Sequence, residues 1–204
     1  MLRNVFPQSL LRNLTQLFQL IDVKTFLCND KINSKGVKAT FPLGHYLDRA
    51  GNIIHSKFNS TPLGNKIFEA LQPLANILAS VIIQMDPDYA NILQEIPSSY
   101  RTFGKLLSVF YGNIFPPENT HKDRRDYKWC YIFPFGTVQQ TGVHLEYLNT
   151  YAHLNIGDVL KLKSCHVWHR ADCIYDTNLQ SRFSGVFTSH TGFINRCVKN
   201  KIKK

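Results

Sequence analysis

A histidine and an aspartate two residues apart are the first feature of the sequence that could do chemistry. His121 and Asp123 lie in the polar run "ENTHKDRRDY", between the apolar stretches "FGKLLSVFYGNIF" and "KWCYIFPFG". In a strand or a tight turn, side chains two apart project to the same side, so these two can converge on one point while Lys122 faces away. The simpler interpretation is a charged turn in which Asp123 caps the next element. The metal interpretation requires a third ligand from elsewhere in the chain.

The third ligand is expected from a later strand, and "SCHVWHR" supplies two candidates, His166 and His169. Two histidines and one carboxylate, with open positions opposite them, form the facial triad that suits ferrous iron. His166 and His169 are three residues apart, so in a strand they point to opposite sides and only one can face the ion. Spacing and alternation alone leave the choice between them open.

A 2-oxo acid on such an iron needs a cation for its distal carboxylate, on the strand that follows the last histidine. Arginine suits this role because its planar fork binds a carboxylate with two hydrogen bonds. The stretch "QSRFSGVF" supplies Arg182. Ser184, two residues further on, projects to the same side and can add a hydroxyl group.

The elements that must position these residues change in character near residue 100. Upstream, apolar residues recur every three or four positions between residues 61 and 96, which predicts helix, with a break or kink at Pro73. The segment 30–62 favours short strands or a hairpin. Downstream, short apolar runs separated by Gly and Pro predict a β-sandwich or barrel. The last residues, "NRCVKNKIKK", form a basic tail.

Charge and composition limit the kinds of partner and the cellular compartment that are expected. The 204 residues carry a formal charge of +10, so an anionic partner is expected, with nucleic acid ahead of a membrane surface or an acidic protein. Five cysteines without a CxxC spacing indicate a reducing compartment. The longest apolar run, "PLANILASVIIQM", is too short to span a bilayer, so no transmembrane segment is predicted. The N-terminal 21 residues fit an amphipathic helix that docks on the domain, or a mitochondrial presequence.

Taken in order, several motifs resemble the catalytic core of Fe(II)/2-oxoglutarate dioxygenases, and most closely the TET/JBP-like branch expanded in fungi. They are "THKDRRDYKWCYIFPFG", "TGVHLEYLN", "LNIGDVLKLKSCHVWHR" and "RFSGVFTSH". The resemblance implies an α+β fold, with a double-stranded β-helix (jelly-roll/cupin-like) core and N-terminal helices packed against it. It divides the chain into a supporting segment (1–100), the dioxygenase core (101–193) and the basic tail (194–204).

The same resemblance assigns roles to residues. His121 and Asp123 match the first two iron ligands, and His169 matches the third because Ser164 stands five residues before it. Arg182 matches the arginine that holds 2-oxoglutarate, with Ser184 beside it. The implied cofactors are Fe(II) and 2-oxoglutarate, with dioxygen as the oxidant.

The implied reaction oxidises a C–H bond, and the resemblance suggests a methylated base in DNA or RNA as the substrate. Protein or small-molecule hydroxylation stays open, and oligomeric state is not indicated. Phosphate contacts are expected from four cations and from the tail: Lys122, Arg124, Arg125 and Lys128. The nucleus or the cytoplasm is expected as the compartment, with mitochondria as the alternative.

Several alternatives accompany this interpretation. A degenerate copy of the enzyme would keep the fold and bind nucleic acid or a protein without turnover. His144 and Glu146 form a second His-x-Glu pair, and Cys165, His169 and Cys173 suggest an incomplete zinc site. Two tryptophans, Trp129 and Trp168, are interpreted as core residues rather than as substrate-stacking residues.

Overall fold

The computed structural model describes residues 1–22, 40–48, 50–114, 119–137, 140–171 and 182–197. These residues form four α-helices and nine strands, joined in places by short 3-10 turns. The helices are α1 (Gln8–Gln19), α2 (Pro62–Met85), α3 (Pro87–Gln94) and α4 (Thr191–Cys197). The strands are β1 (Thr40–Leu47), β2 (Ile53–His55), β3 (Val109–Asn113), β4 (Cys130–Gly136), β5 (Gln140–Leu145), β6 (Thr150–Asn155), β7 (Leu160–Leu162), β8 (His169–Ala171) and β9 (Arg182–Thr188).

The strands form two antiparallel sheets. The larger has six strands in the order β2-β1-β3-β9-β4-β7, and the smaller has three in the order β6-β5-β8. Helices and antiparallel sheets together confirm the predicted α+β class. The predicted hairpin before residue 62 corresponds to β1 and β2, which join the same sheet as strands from downstream of residue 100. The division of the chain into three parts stays a prediction.

The two faces of the six-stranded sheet differ in chemistry because side chains alternate along each strand. One face carries aromatic rings that pack with the helices in the main core: Phe41, Phe110, Tyr131, Phe133, Phe135, Phe183 and Phe187. Gly112 and Gly185 pair across β3 and β9 within this face, and a methyl group at Gly185 would lie 2.4 Å from Phe133. The glycines therefore leave the space that the rings fill.

The opposite face of this sheet packs against the three-stranded sheet. Cys130 of β4 and Leu160 and Leu162 of β7 form a second apolar cluster with Val143 and Leu145 of β5. The polar residues of β9, Arg182 and Ser184, alternate with the buried rings of Phe183 and Phe187, so they lie on this inward side. The space between the sheets is thus apolar with a few polar groups.

Helices α1 and α2 cover the aromatic face. The Phe18 ring of α1 meets that of Phe135 edge-on at 4.6 Å between centroids. Thr61 caps α2 by accepting a hydrogen bond from the Gly64 amide. Of the break or kink predicted at Pro73, the break is wrong, since α2 continues through the proline, and the kink stays a prediction. Buried side chains on both sides of the proline, such as Leu71 and Leu74, hold the helix in the core despite the missing donor.

By length and composition alone, α2 could cross a membrane. Its buried residues follow the spacing of one helical stripe and belong to the main core: Ile67, Leu71, Leu74, Ala75, Leu78, Ala79 and Ile82. Packing against α1 and the sheet accounts for this apolar composition.

The N-terminal residues dock on the domain beside β7. Leu2 exchanges two backbone hydrogen bonds with Val159, at 2.8 and 2.9 Å. Arg3 pairs with the buried carboxylate of Asp158, which also accepts a hydrogen bond from the Asn4 amide at 3.0 Å. These contacts and the burial of Phe18 fit the predicted amphipathic docking helix.

Candidate metal centre

Backbone pairing brings the two histidines of the predicted triad together. The His121 amide donates to the His169 carbonyl at 2.9 Å, and the His169 amide donates back to the His121 carbonyl at 3.0 Å. The two rings lie 4.5 Å apart between centroids. His169 opens β8, whose neighbour β5 places Leu145 opposite it. Sheet pairing, rather than closeness in sequence, therefore assembles the pair.

Backbone carbonyls orient both imidazole rings. His121 Nδ1 lies 2.7 Å from the Asn119 carbonyl oxygen, and His169 Nδ1 lies 2.9 Å from that of Val167. A carbonyl can only accept, so each Nδ1 carries the proton and donates it. Each Nε2 then presents its lone pair. This is how metal-binding histidines are usually held.

The Asp123 carboxylate completes the cluster. Its oxygens lie 3.9 Å from His121 Nε2 and 3.4 Å from His169 Nε2. One ligand atom from each of the three residues lies within 4.8 Å of the others. Both histidine side chains are nearly buried, whereas that of Asp123 is 33% exposed, so the cluster is accessible from one side. Two nitrogens and one carboxylate oxygen are a donor set that fits ferrous iron.

A buried carboxylate supports the turn that carries Asp123. The Asp123 amide donates to the Ser164 carbonyl at 3.0 Å, and the Ser164 hydroxyl donates to Asp126 Oδ2 at 2.6 Å. Burial and the nearby charge of Asp123 raise the pKa of Asp126 to about 7. Sequence reasoning missed Asp126, although its position three residues after Asp123 was visible. It used Ser164 only as a spacing mark.

Glu146 links the two segments that carry the histidines. Its Oε1 accepts from the Thr120 hydroxyl at 2.8 Å and from Arg170 Nε at 3.1 Å. Thr120 precedes His121 and Arg170 follows His169, so one carboxylate contacts both neighbours. The hydrogen bond from Thr120 lowers the pKa of Glu146. These contacts describe a positioning group rather than the second metal site considered for His144 and Glu146, although His144 Nδ1 lies 3.3 Å from Oε1.

The predicted 2-oxoglutarate residues lie on the inward face of β9, away from the histidines. Arg182 Nη2 donates to the Thr141 hydroxyl at 3.2 Å. The Ser184 hydroxyl accepts from Asn113 at 3.1 Å. Thr141 and Leu145 stand four positions apart on β5, which is about 13 Å along a strand. Leu145 pairs with His169, so the β5 residue that Arg182 contacts and the β5 residue beside the histidine are these two.

The structure separates the two candidates for the third ligand. His166 is exposed in a turn, where its amide donates to the Lys163 carbonyl at 2.9 Å, and it lies outside the triad cluster. Of the alternative zinc ligands, Cys165 is half-buried and outside that cluster, and Cys173 lies outside the described residues. His169 is therefore the histidine that meets His121 and Asp123.

The two tryptophans are partly buried, and each lies beneath a cation. Trp129 donates to Asp86 at 3.0 Å, and Lys161 lies 4.3 Å from the centre of its ring. Trp168 has Lys122 at 5.1 Å from its ring centre.

Of the predicted phosphate-binding cations, Arg124 is exposed, Arg125 donates to the Leu47 carbonyl at 3.2 Å, and Lys128 lies 5.9 Å from the ring of Tyr89. The end of the basic tail lies outside the described residues.

A buried histidine lies close to the triad without belonging to it. His190 Nε2 is 3.1 Å from the hydroxyl of Tyr111, and the two rings stack. Burial and the charge of Arg125 lower the pKa of His190 to about 4, so it is neutral in the folded protein at neutral pH.

Comparison with known proteins finds similarity at the level of structure. No family model and no curated protein matches the sequence. A solved structure of NgTET1 in complex with 5mC DNA matches with a TM-score of 0.74 and 22% identity, covering 98% of this chain and 77% of that one. A provisionally assigned oxygenase from Shewanella oneidensis has a TM-score of only 0.41 at 13% identity, over 91% of this chain and 79% of its own, too low to carry an argument. The chain therefore shares the fold of NgTET1, which confirms at the level of the fold the resemblance to the TET/JBP-like branch that its motifs indicate.

Proposed function

We propose that the protein is an Fe(II)/2-oxoglutarate-dependent dioxygenase whose iron is held by His121, Asp123 and His169. The observation that carries this proposal is the convergence of their three ligand atoms within 4.8 Å, with both histidines anchored through Nδ1. The two antiparallel sheets that pack face to face support a double-stranded β-helix core. Exposure of the Asp123 side chain leaves room for a cosubstrate on one side of the ion.

The second part of the proposal concerns 2-oxoglutarate. Arg182 would hold the distal carboxylate of 2-oxoglutarate, for which its planar fork is suited, and Ser184 would add a hydroxyl. Arg182 contacts Thr141 and His169 pairs with Leu145, four positions further along β5, so 2-oxoglutarate would extend along β5 between these two points. Val143 and Val186 lie between these ends in the apolar cluster and exclude water from the path.

When bound, iron with 2-oxoglutarate and dioxygen supplies the oxidant for a substrate C–H bond. The residues of the chain supply geometry. The Asn119 and Val167 carbonyls keep the Nδ1 protons in place, which fixes the direction of both Nε2 lone pairs. Arg182 orients the cosubstrate and offsets its charge, and the walls between the sheets keep the site dry.

The proposed substrate is a methylated base in DNA or RNA. NgTET1 is in complex with 5mC DNA in the structure that shares this fold, and the chain carries a formal charge of +10. Lys122 and Arg124 flank Asp123, so cations stand where phosphates would approach the site. Such an enzyme must take the target base out of a duplex before oxidising it.

Anaerobic titration of the apo-protein with Fe(II) and then 2-oxoglutarate tests the proposal. Chelation of the 2-oxo acid by ferrous iron gives a weak visible charge-transfer band. We expect this band in the wild type, its loss in Asp123→Ala, and weaker 2-oxoglutarate binding in Arg182→Ala. His166→Ala is the matched control, because this histidine lies outside the triad and should leave the band unchanged.

Two results would contradict the proposal. Iron uptake without a band would favour the alternative of a degenerate copy that binds nucleic acid or a protein without turnover. Loss of the band in His166→Ala but not in His169→Ala would refute the assignment of the third ligand.

A further inference from the structure

An exposed apolar pair stands at the turn between β5 and β6. Tyr147 is 77% exposed and Leu148 is 62% exposed, although both are large hydrophobic side chains. They occupy the 3-10 turn Glu146–Leu148, which ends at Asn149 in the left-handed conformation, with φ of 42°. Large exposed apolar patches with a polar rim mark interaction sites, and here two large side chains stand side by side on one turn among polar groups.

Hydrogen bonds hold this turn in shape. The Glu146 amide donates to the Trp168 carbonyl at 3.1 Å, and the Asn149 amide donates to the Glu146 carbonyl at 3.1 Å. The Thr150 hydroxyl donates to the Leu148 carbonyl at 2.8 Å. The two side chains are therefore presented to solvent by an ordered backbone, which reduces the entropy cost of binding a partner.

The turn is joined to the candidate metal centre. Glu146 accepts a hydrogen bond from Thr120, the residue before His121. The Lys122 ammonium lies 5.9 Å from the centre of the Tyr147 ring and 5.1 Å from that of Trp168. Lys122 separates His121 from Asp123, and Trp168 precedes His169. We call these four residues the Tyr147 surface: Lys122, Tyr147, Leu148 and Trp168.

The chemistry of this surface fits a nucleic-acid strand. Aromatic rings stack on bases of any sequence, and a lysine beside them can meet the phosphate of the same nucleotide. The formal charge of +10 complements a polyanion. A membrane surface is a weaker match, since one exposed aromatic and one exposed leucine supply little apolar area for insertion.

We propose that the Tyr147 surface binds the single strand next to the target base, with the Tyr147 ring stacked on an unpaired base and Lys122 against its phosphate. This inference rests on the proposed function, because it assumes a nucleic-acid substrate. It adds the place where the strand is held. A base that has left the duplex exposes its neighbours, and stacking on Tyr147 would replace the stacking that they lose.

Fluorescence anisotropy with labelled single-stranded DNA and RNA of the same sequence tests the proposal. Stacking on an aromatic contributes enough that Tyr147→Ala should weaken binding about 5- to 160-fold. Tyr147→Phe keeps the ring and should bind like the wild type. Ile83→Ala is the matched control, because Ile83 is an exposed apolar residue (47%) on α2. In Lys122→Gln, the dependence of log K on log salt should become shallower by about 0.7, the value of one phosphate contact to a single strand.

Each outcome decides the matter. Equal affinities for Tyr147→Ala and Ile83→Ala, or no binding of either strand by the wild type, would overturn the proposal. Binding to phosphatidylserine vesicles that is lost in Tyr147→Ala, with DNA and RNA binding unchanged, would assign the surface to a membrane instead. The charge-transfer band reports on the metal centre separately. Loss of strand binding in Tyr147→Ala with no band in the wild type would leave this surface standing while refuting the dioxygenase.

Discussion

Replacing Ser164 with alanine is expected to destabilise the folded protein, because Ser164 supports the turn that carries Asp123. The Ser164 hydroxyl donates to Asp126 at 2.6 Å, and both side chains are buried. Alanine removes the donor and leaves a buried carboxylate with less compensation. Hydrogen bonds to charged groups contribute about 1.5–3 kcal/mol, so Ser164→Ala should lower the free energy of unfolding by about 2–3 kcal/mol.

The size of the effect depends on the charge of Asp126. At pH 8, above its pKa of about 7, the Asp126 side chain is mostly ionised in the metal-free protein. In an Asp126→Asn background the acceptor is a neutral amide, and the cost of Ser164→Ala should fall to about 1 kcal/mol. The coupling free energy from this double-mutant cycle is then about 1–2 kcal/mol.

Urea unfolding at pH 8, followed by tryptophan fluorescence, measures all four proteins. Ser80→Ala is the control, because this exposed hydroxyl only bonds the Asn76 carbonyl at 3.1 Å and its loss should change stability by less than about 0.5 kcal/mol. A loss below about 0.5 kcal/mol for Ser164→Ala, or equal losses in both backgrounds, would refute the reasoning.

Three further predictions address pH, metal affinity and packing. Because the pKa of His190 is lowered to about 4, the unfolded chain takes up a proton near pH 6.5 that the folded protein does not. The stability of the wild type relative to His190→Asn should therefore fall by up to about 3 kcal/mol between pH 7 and pH 4, and unfolding curves with parallel pH profiles would contradict this. In Glu146→Gln, Fe(II) affinity by titration should fall by less than the roughly 10- to 100-fold typical of groups that bond a ligand directly, because Glu146 bonds Thr120 and Arg170, the neighbours of the two histidines, while Glu69→Gln on α2 should leave the affinity unchanged. Gly185→Ala should cost about 1–3 kcal/mol in thermal unfolding, since the new methyl would overlap the ring of Phe133, and an unchanged midpoint would refute that.

Part of the candidate metal centre could be predicted from the sequence and from its resemblance to a known family. His121 and Asp123 are two apart, and the resemblance pointed to His169 through Ser164. The resemblance selects His169, whereas strand alternation cannot decide between it and His166, since the segment before β8 is a turn. The contacts of Glu146 were also out of reach, because they join Thr120 and Arg170 through the pairing of separate segments.

The errors in the fold have local causes. β6, with the sequence "TYAHLN", lies mostly between the motifs quoted from the sequence, and its strand is defined by pairing with β5. The break expected at Pro73 follows from the lost donor, but the buried stripe of α2 outweighs that loss. In both segments, tertiary contacts rather than local propensity decide the secondary structure.

The backbone pairing of His121 with His169 has a consequence for kinetics. These residues are far apart in the chain, so their pairing closes a long loop, and the chain loses conformational entropy when the loop closes. A helix such as α2 needs only local contacts. A metal ion held by both histidines binds only after that closure. Iron is therefore expected to slow unfolding and to leave the folding rate nearly unchanged, which stopped-flow unfolding with and without Fe(II) would measure.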